Sequence, residues 1–482
     1  MFILNSFEIK HKNKVIYDCV FNNEKMEERE NLFTTLIIGE NGAGKSFLLK
    51  MLSDFFRHIS NRSKPNNVKY DFFKVEYQLN ENHYSIEKSK GRLTSYKNNK
   101  LVDIESVGFP NKFIALSFMV NDKFSFVNEK EGIGRYRYLG VRATSNATYT
   151  STIQKKLLSS ILNILSDSRK IPSLNKVFDF VGLNGELEIV YTLKRKTLFT
   201  RKMGSTLLKS KFESILRRKE FINKSYSEEL NVSVNELNEF INSLAGSEFV
   251  SGNKIIYSLD FSKSQDFDLI RSIKFLDLME KLELISSPDI KFVKDDSFDF
   301  EYTSSGEKHF IFTMINLIST IEVDSLILID EPELSLHPKW QMKYIRLLKN
   351  ITNEFKTSHC ILASHSHFMV SDLAPESSSL VSLQKIIDNG IESRVSKLIP
   401  YDTYSWSAEN ILYEVFKLRT TRNSYFEYDL TNLLKMVSEQ STDTESISQL
   451  QKKLEKYVFN ENDPINVILS QSRSYLESLR DD

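Results

Sequence analysis

Cysteine is almost absent: the 482-residue chain has two, Cys19 and Cys360, far apart in sequence. That excludes a disulfide scaffold and points to a reducing, cytosolic setting. Net charge is missing as well, because 64 Lys plus Arg balance 64 Asp plus Glu. No global basic field draws the chain onto nucleic acid, which leaves only a local patch for that purpose. Long apolar runs are absent too. Phe310 to Ile321, the most apolar helical stretch, is too short and too polar to span a bilayer. Met1 to Lys14 has no apolar core followed by a small-residue cleavage site. The expectation is a soluble, cytoplasmic protein without membrane contact. Glycine is scarce, 15 in all, so each loop glycine carries weight as a positioned residue. Hydrophobic residues make up 40%, enough to fill the cores of two or three domains.

Phe2 to Lys10 and Lys14 to Phe21 alternate like paired strands. Thr34 to Ile38 is a short apolar run that leads into glycines. Phe47 to Ile59 has helical spacing, with Phe47, Leu48, Met51, Leu52 and Phe55 on one side. Phe72 to Leu79, Tyr84 to Lys88 and Phe113 to Met119 read as further strands. From Thr152 the texture changes. Ile153 to Leu165, Leu207 to Asn223, Val234 to Leu244 and Phe267 to Leu284 read as helices, with one strand-like run at Glu186 to Leu193. Alternation returns at Ile290 to Tyr302, where Asp295, Asp296, Asp299 and Glu301 fit a solvated strand face. The expected organisation is a head in two lobes, 1–151 and 286–400, split by a mainly helical insertion at 152–285. A helical region at 401–482 follows, suited to docking a partner. Heptads are too short for an extended coiled-coil arm.

Gly39-Glu40-Asn41-Gly42-Ala43-Gly44-Lys45-Ser46 matches G-x-x-x-x-G-K-[ST], between a strand and a helix. Gly39, Asn41, Gly42, Ala43 and Gly44 would turn backbone N–H groups toward phosphate oxygens, at the positive end of the helix. Lys45 would neutralise the β- and γ-phosphates, and the Ser46 hydroxyl would hold Mg²⁺. The strand Leu326 to Ile329 ends in Asp330 and Glu331. Asp330 is the expected second Mg²⁺ contact and Glu331 the general base that polarises a water. As Asp-Glu-Pro-Glu, the same stretch also reads as an acidic cap before a helix near His337, a role open to Glu333. Ser304-Ser305-Gly306-Glu307 precedes an apolar helix; alone it is a capping motif with an anion site. Ile361 to Ser364 is an apolar strand run ending in His365, which could donate to a γ-phosphate. His359, Cys360 and His367 alternate across strand faces, which disfavours a metal cluster. Tyr17 fits either base stacking or the core.

In this order the motifs resemble those of ATP-binding-cassette (ABC) ATPases, over roughly residues 1–150 and 286–400. The implied fold is α/β: an ABC-type P-loop head, a mixed sheet with flanking helices, carrying a helical insertion and a helical C-terminal tail. The resemblance makes Ser304 and Gly306 the signature contacts to a nucleotide held by a second copy, although Thr303 and Ser305 depart from the usual leucine and glycine. It makes Ser335-Leu336-His337-Pro338 the interface-crossing D-loop, and His365 the switch histidine. The usual glutamine after the Phe113 strand is missing; Asp122 stands nearest, as a Mg²⁺ or water contact or a plain loop aspartate. About 260 residues separate glycine loop and signature, far more than in transporter subunits, which favours the SMC, RecF and OLD branch (compare domain sizes). The segments Tyr136 to Arg142, Leu412 to Phe416 and Thr421 to Phe426 are similar to PtuA-type ATPases of the Septu and retron antiphage systems. That likeness implies ATP and Mg²⁺ as cofactors, a homodimer or higher even oligomer, and a separately encoded HNH-type nuclease as partner. The alternatives are a RecF- or SMC-like ATPase acting directly on DNA and, last, a transporter subunit.

Overall fold

The amino-terminal alternation closes into a meander through two-residue turns. β1 (Phe2–His11) and β2 (Lys14–Val20) pair antiparallel. Their turn residues Lys12 and Asn13 have φ of 50° and 62°, the left-handed geometry a tight hairpin requires. After β3 (Phe33–Ile38) and the helix Lys45–Ser60, the same device recurs twice. Asn80 and Glu81 join β4 (Phe72–Leu79) to β5 (Asn82–Ser89), and Asn98 and Asn99 join β6 (Arg92–Lys97) to β7 (Lys100–Val102). Asn tolerates this conformation best among non-glycine residues. β8 (Phe113–Ser117) and β9 (Tyr136–Tyr138) follow.

In this computed structural model the described residues are 1–22, 31–60, 70–89, 91–119, 121–126, 134–140, 149–194, 199, 234–261, 267–292, 305–388, 391–399, 403, 406–416, 422–457 and 465–481. They divide into two compact units, Met1–Ser405 and Trp406–Asp482. The expected helix at Leu207 to Asn223, the acidic residues Asp295 to Glu301, and Ser304 lie outside the described residues.

Part of the sequence between the head lobes forms a second sheet. β10 (Glu186–Thr192), β11 (Val250–Ser251), β12 (Lys254–Asp260) and β13 (Asp289–Phe292) pair antiparallel in the order β11-β12-β10-β13. Only one of these runs, at Glu186, was legible as a strand in the insertion. The helices Tyr149–Leu165, Ile171–Val181, Val234–Ala245 and Phe267–Lys281 belong to the same region. Helix Tyr149–Leu165 packs on helix Ser305–Thr320, where the Ser160 hydroxyl donates to Asn316 Oδ1 at 2.8 Å. Lys170 reaches the Ser319 carbonyl at 2.7 Å, and Phe180 meets Phe310 and Trp340 at 5.5 and 5.4 Å between ring centres. The inserted region thus buttresses the helix that follows Ser304.

β14 (Leu326–Asp330), β15 (His359–Ala363), β16 (Ser378–Asp388) and β17 (Ile391–Leu398) complete the main sheet. Among the described residues it has thirteen strands, ordered β7-β6-β5-β4-β1-β2-β17-β16-β3-β15-β14-β8-β9. The half from β16 to β9 is parallel throughout. Its strands β3, β8, β14 and β15 are buried along their whole length, as strands covered on both faces must be. Register aligns their carboxyl ends: Asp330 pairs with Ser117 on one side and Ala363 on the other, and Ala363 with Ile37. Ligands of open α/β sheets bind along such an edge.

Helix Lys45–Ser60 covers one face with Leu48, Leu49, Leu52, Phe55, Phe56 and Ile59. The expected stripe is rotated: Phe47 is exposed and Met51 only partly buried, because Leu49 and Phe56 turn inward instead. Phe56 sits between Phe113 at 5.1 Å, Tyr77 at 5.8 Å and Phe2 at 6.2 Å. The result is a mixed α/β fold, a large sheet with helices packed on it. In the second unit, helices Ser424–Ser438, Thr444–Glu455 and Ile465–Asp481 close around Leu433, Ile447, Leu454 and Leu469. Asn423 and Asp443 cap the first two. Among the described residues no helix is long and apolar enough to cross a membrane.

Candidate active site

β3 ends at Ile38 against the rest of the sheet, so the turn that follows has little room. A Cβ at Gly39 would stand 2.5 Å from the Leu383 carbonyl oxygen. Gly44 has φ of 92°, and a Cβ there would collide with the Tyr17 hydroxyl and the Arg394 side chain. The loop is therefore confined to glycine at both ends. It delivers the unpaired N–H groups of a helix start to the carboxyl edge of the sheet. Asn41, Gly42 and Ala43 form its crest, with the Ala43 N–H donating to the Glu40 carbonyl at 3.1 Å.

Tyr17 belongs to the core. Its hydroxyl donates to the Gly44 carbonyl at 3.0 Å, and Arg394 lies 5.3 Å from its ring centre. Tyr17 and Arg394 brace the glycine loop from behind. Nothing local in the sequence marks Arg394; only the parallel pairing of β17 with β2 sets it opposite Tyr17.

Lys45 is 4% exposed. Its ammonium donates to the Gly39 carbonyl at 2.9 Å and to His365 Nε2 at 2.8 Å. Burial lowers its pKa to about 8, against the opposing pull of Glu331, Glu333 and Asp330. Burial and the neighbouring Lys45 hold His365 below its ordinary range, although Glu331 pulls it upward. A neutral imidazole accepting from Lys45 at Nε2 carries its proton on Nδ1.

Asp330 is almost fully buried. The Ser46 hydroxyl bonds to it, while its Oδ1 has no hydrogen-bond partner among the described residues. Burial raises its pKa to about 7, and Glu331, Asp122 and Glu333 add to the rise. A buried carboxylate oxygen without a donor is costly unless a cation meets it. Ser46 and Asp330 offer the hard oxygen ligands Mg²⁺ takes, and Mg²⁺ completes its shell with waters and phosphates. In keeping with so sparse a donor set, no cluster of three His, Cys, Asp or Glu poised for a metal occurs among the described residues.

Glu331 has φ of 47°, a left-handed conformation rare for glutamate and costing about 1–3 kcal/mol. Its N–H is fixed to the Ala363 carbonyl at 2.9 Å, and its Oε1 lies 3.7 Å from His365 Nε2. Glu333 does not cap the next helix; His337 does, accepting from the Lys339 N–H at 3.2 Å. The Glu333 carboxylate turns back instead to accept the His365 N–H.

Asp122 lies near enough to Asp330 to act on it electrostatically. Its Oδ1 accepts the Phe124 N–H at 2.9 Å and its Oδ2 the Tyr138 hydroxyl. Both oxygens are thus engaged in holding the loop after β8. His359 is a core residue, its Nδ1 accepting the Leu4 N–H at 3.0 Å and its Nε2 facing Thr35 Oγ1 at 2.9 Å. The structure brings Lys45, Ser46, Asp330, Glu331 and His365 together. Gly306 opens a separate element, helix Ser305–Thr320.

A family model described as "AAA domain, putative AbiEii toxin, Type IV TA system" matches residues 198–371, a stretch that includes Asp330, Glu331 and His365. The "Septu protein PtuA" of Bacillus thuringiensis is 32% identical over 173 residues, 31% of this chain and 42% of that protein. The "Retron Vc95 probable ATPase" of Vibrio cholerae is 23% identical over 423 residues, 79% of this chain and 75% of that protein. The chain is similar to the Septu protein over part of its length and to the retron probable ATPase over most of it. It spans less than half of the Septu relative's length. Among solved structures, the SMC head domain of Thermotoga maritima aligns with 83% of this chain and 99% of its own, at 12% identity and a TM-score of 0.34. The groups brought together lie along the carboxyl edge of the parallel strands.

Proposed function

We propose that this head binds ATP with Mg²⁺, hydrolyses it to ADP and phosphate, and does so as a dimer. Two copies would each present Ser304 and Gly306 to the nucleotide held by the other. The dimer would regulate a separately encoded nuclease of the HNH type in defence against phage, in the cytoplasm. Similarity to the Septu and retron proteins supports the last step.

The observation that carries the chemistry is the buried, half-partnered Asp330 beside Ser46, Lys45, Glu331 and His365. Lys45 would exchange its loop carbonyls for phosphate oxygens. Mg²⁺, held by Ser46 and Asp330, would neutralise phosphate charge. Glu331 would accept the proton of the water that attacks the γ-phosphorus as the bond to the bridging oxygen breaks. His365 would donate from its ring N–H to the γ-phosphate. Exposed Leu334 and Met342, on the segment after Glu331, fit a surface that a second copy covers. The test is Glu331→Gln followed by size-exclusion chromatography with ATP and by turnover. The expected variant holds ATP and a dimer but does not turn over. Native-rate turnover would remove Glu331 from the role of base.

A further inference from the structure

Glu331 follows β14 and His365 follows β15, and a backbone bond from the Glu331 N–H to the Ala363 carbonyl at 2.9 Å carries the strand pairing as far as Glu331. Beyond that bond, side-chain bonds join residues 333–341 to residues 364–366. The Glu333 carboxylate accepts the His365 backbone N–H and a bond from the Ser364 side chain. The Gln341 amide nitrogen donates to the Leu336 carbonyl at 2.9 Å and the Glu333 carbonyl at 3.4 Å. Its amide oxygen accepts from the buried Ser366 hydroxyl at 2.6 Å. Ser366 closes the circuit, its N–H donating to Ser364 Oγ at 2.9 Å. Carbonyls on one side of Gln341 and a hydroxyl on the other fix which way its amide points.

We infer that Glu333, Gln341 and Ser366 form a brace that sets the 3.7 Å Glu331–His365 spacing and the 2.8 Å Lys45–His365 contact. Gln341 and Ser366 are then positioning residues for hydrolysis, although neither touches the nucleotide groups. The brace rests on the ATP-hydrolysis reading above. Both residues flanking His365 are tied to the segment after Glu331, Ser364 to Glu333 and Ser366 to Gln341, so a shift of that segment must carry the imidazole with it. A rigid mutual placement of base and phosphate donor is what such chemistry requires, because a displacement near 1 Å costs about a hundredfold in rate.

The experiment is steady-state ATPase kinetics and thermal midpoints for the full chain carrying Gln341→Ala, Ser366→Ala, both together, and Ser366→Thr. Each alanine variant is expected to lower kcat about tenfold while KM for ATP moves less than about twofold. The double variant should be no slower than the slower single one, since a shared bond is lost only once. Ser366→Thr, which keeps the hydroxyl, should recover most of the rate. Unchanged kcat in folded variants, multiplying losses, or losses that merely follow the thermal midpoint would overturn the brace. If Gln341→Ala fails to fold, the Ser366→Ala and Ser366→Thr pair decides. A wild type that does not hydrolyse ATP, or a Lys45→Ala variant as fast as wild type, would instead defeat the hydrolysis reading, and the brace with it.

Discussion

The antiparallel wing, β1, β2 and β4 to β7, and the parallel half, β3, β8, β14 and β15, belong to one sheet but hold their strain in different places. In the wing, β4 alternates buried and half-buried residues, and Tyr77 stacks between Phe2, Phe56 and Tyr84. Unusual backbone is confined there to turns, where asparagine tolerates it. The parallel strands are covered on both faces, and the ionisable groups Asp330, Glu331, Lys45 and His365 gather at their carboxyl ends. There stand a left-handed glutamate, a buried lysine and a carboxylate oxygen without a donor. The wing and the core under it stabilise the fold. On the function proposed above, the arrangement at the edge would become favourable when a charged ligand arrives.

Several substitutions would break or sharpen that contrast. Glu331→Gln should lower turnover by about 10²–10⁴-fold with an unchanged thermal midpoint, read by phosphate release beside calorimetry. Phe56→Ala should do the reverse. Denaturant unfolding should show a loss of about 3–5 kcal/mol, while the fraction still folded hydrolyses normally. Asp330→Asn should abolish Mg²⁺-dependent nucleotide binding yet stabilise the nucleotide-free protein at pH 8. The sign follows from its raised pKa: between the ordinary value, 3.8, and about 7 the folded chain holds more protons than the unfolded one, so stability falls as pH rises. At about 1.36 kcal/mol per unit the gain is at most about 4 kcal/mol. Equal stability of the two proteins at pH 8 would place the Asp330 charge in a better-satisfied setting than its surroundings indicate.

Nucleotide affinity should peak between pH values of about 7 and 8, where Asp330 is ionised and Lys45 still charged. It should fall by up to about tenfold per unit on either side, measured by titration calorimetry. A flat profile from pH 6 to 9 would contradict both placements. Asn98→Ala, in a wing turn at φ of 50°, should cost only about 1–2 kcal/mol and leave turnover intact.

Much of this was legible in the sequence where local pattern decides. The apolar run Leu326 to Ile329 ending in two carboxylates, the glycine loop, and the helix after it are each set by neighbours in the chain. The readings that local pattern left open are decided by tertiary contacts. Tyr17 fits either a base stack or the core by sequence, and β17, which sets Arg394 over it, decides for the core. Glu333 looked like a helix cap, but its carboxylate turns to the N–H of His365, 32 residues on. Asp122 marked the right loop by position, yet Tyr138 and the Phe124 N–H occupy its oxygens, which no local spacing reveals. β11 is only two residues long and β12 is polar at alternate positions, so neither stands out before β12 pairs with β10 and β11 with β12. The rotation of the Lys45–Ser60 stripe depends on which side of the helix meets Phe113 and Tyr77.

Mixing two inactive variants tests most directly whether the site is shared between copies. Lys45→Ala and Ser304→Ala, each expected to be inactive alone, would form heterodimers with one intact composite site. Equal amounts, allowed to exchange subunits, should regain up to about a quarter of wild-type ATPase activity. A mixture no more active than its two components apart would contradict a nucleotide site closed by a second copy.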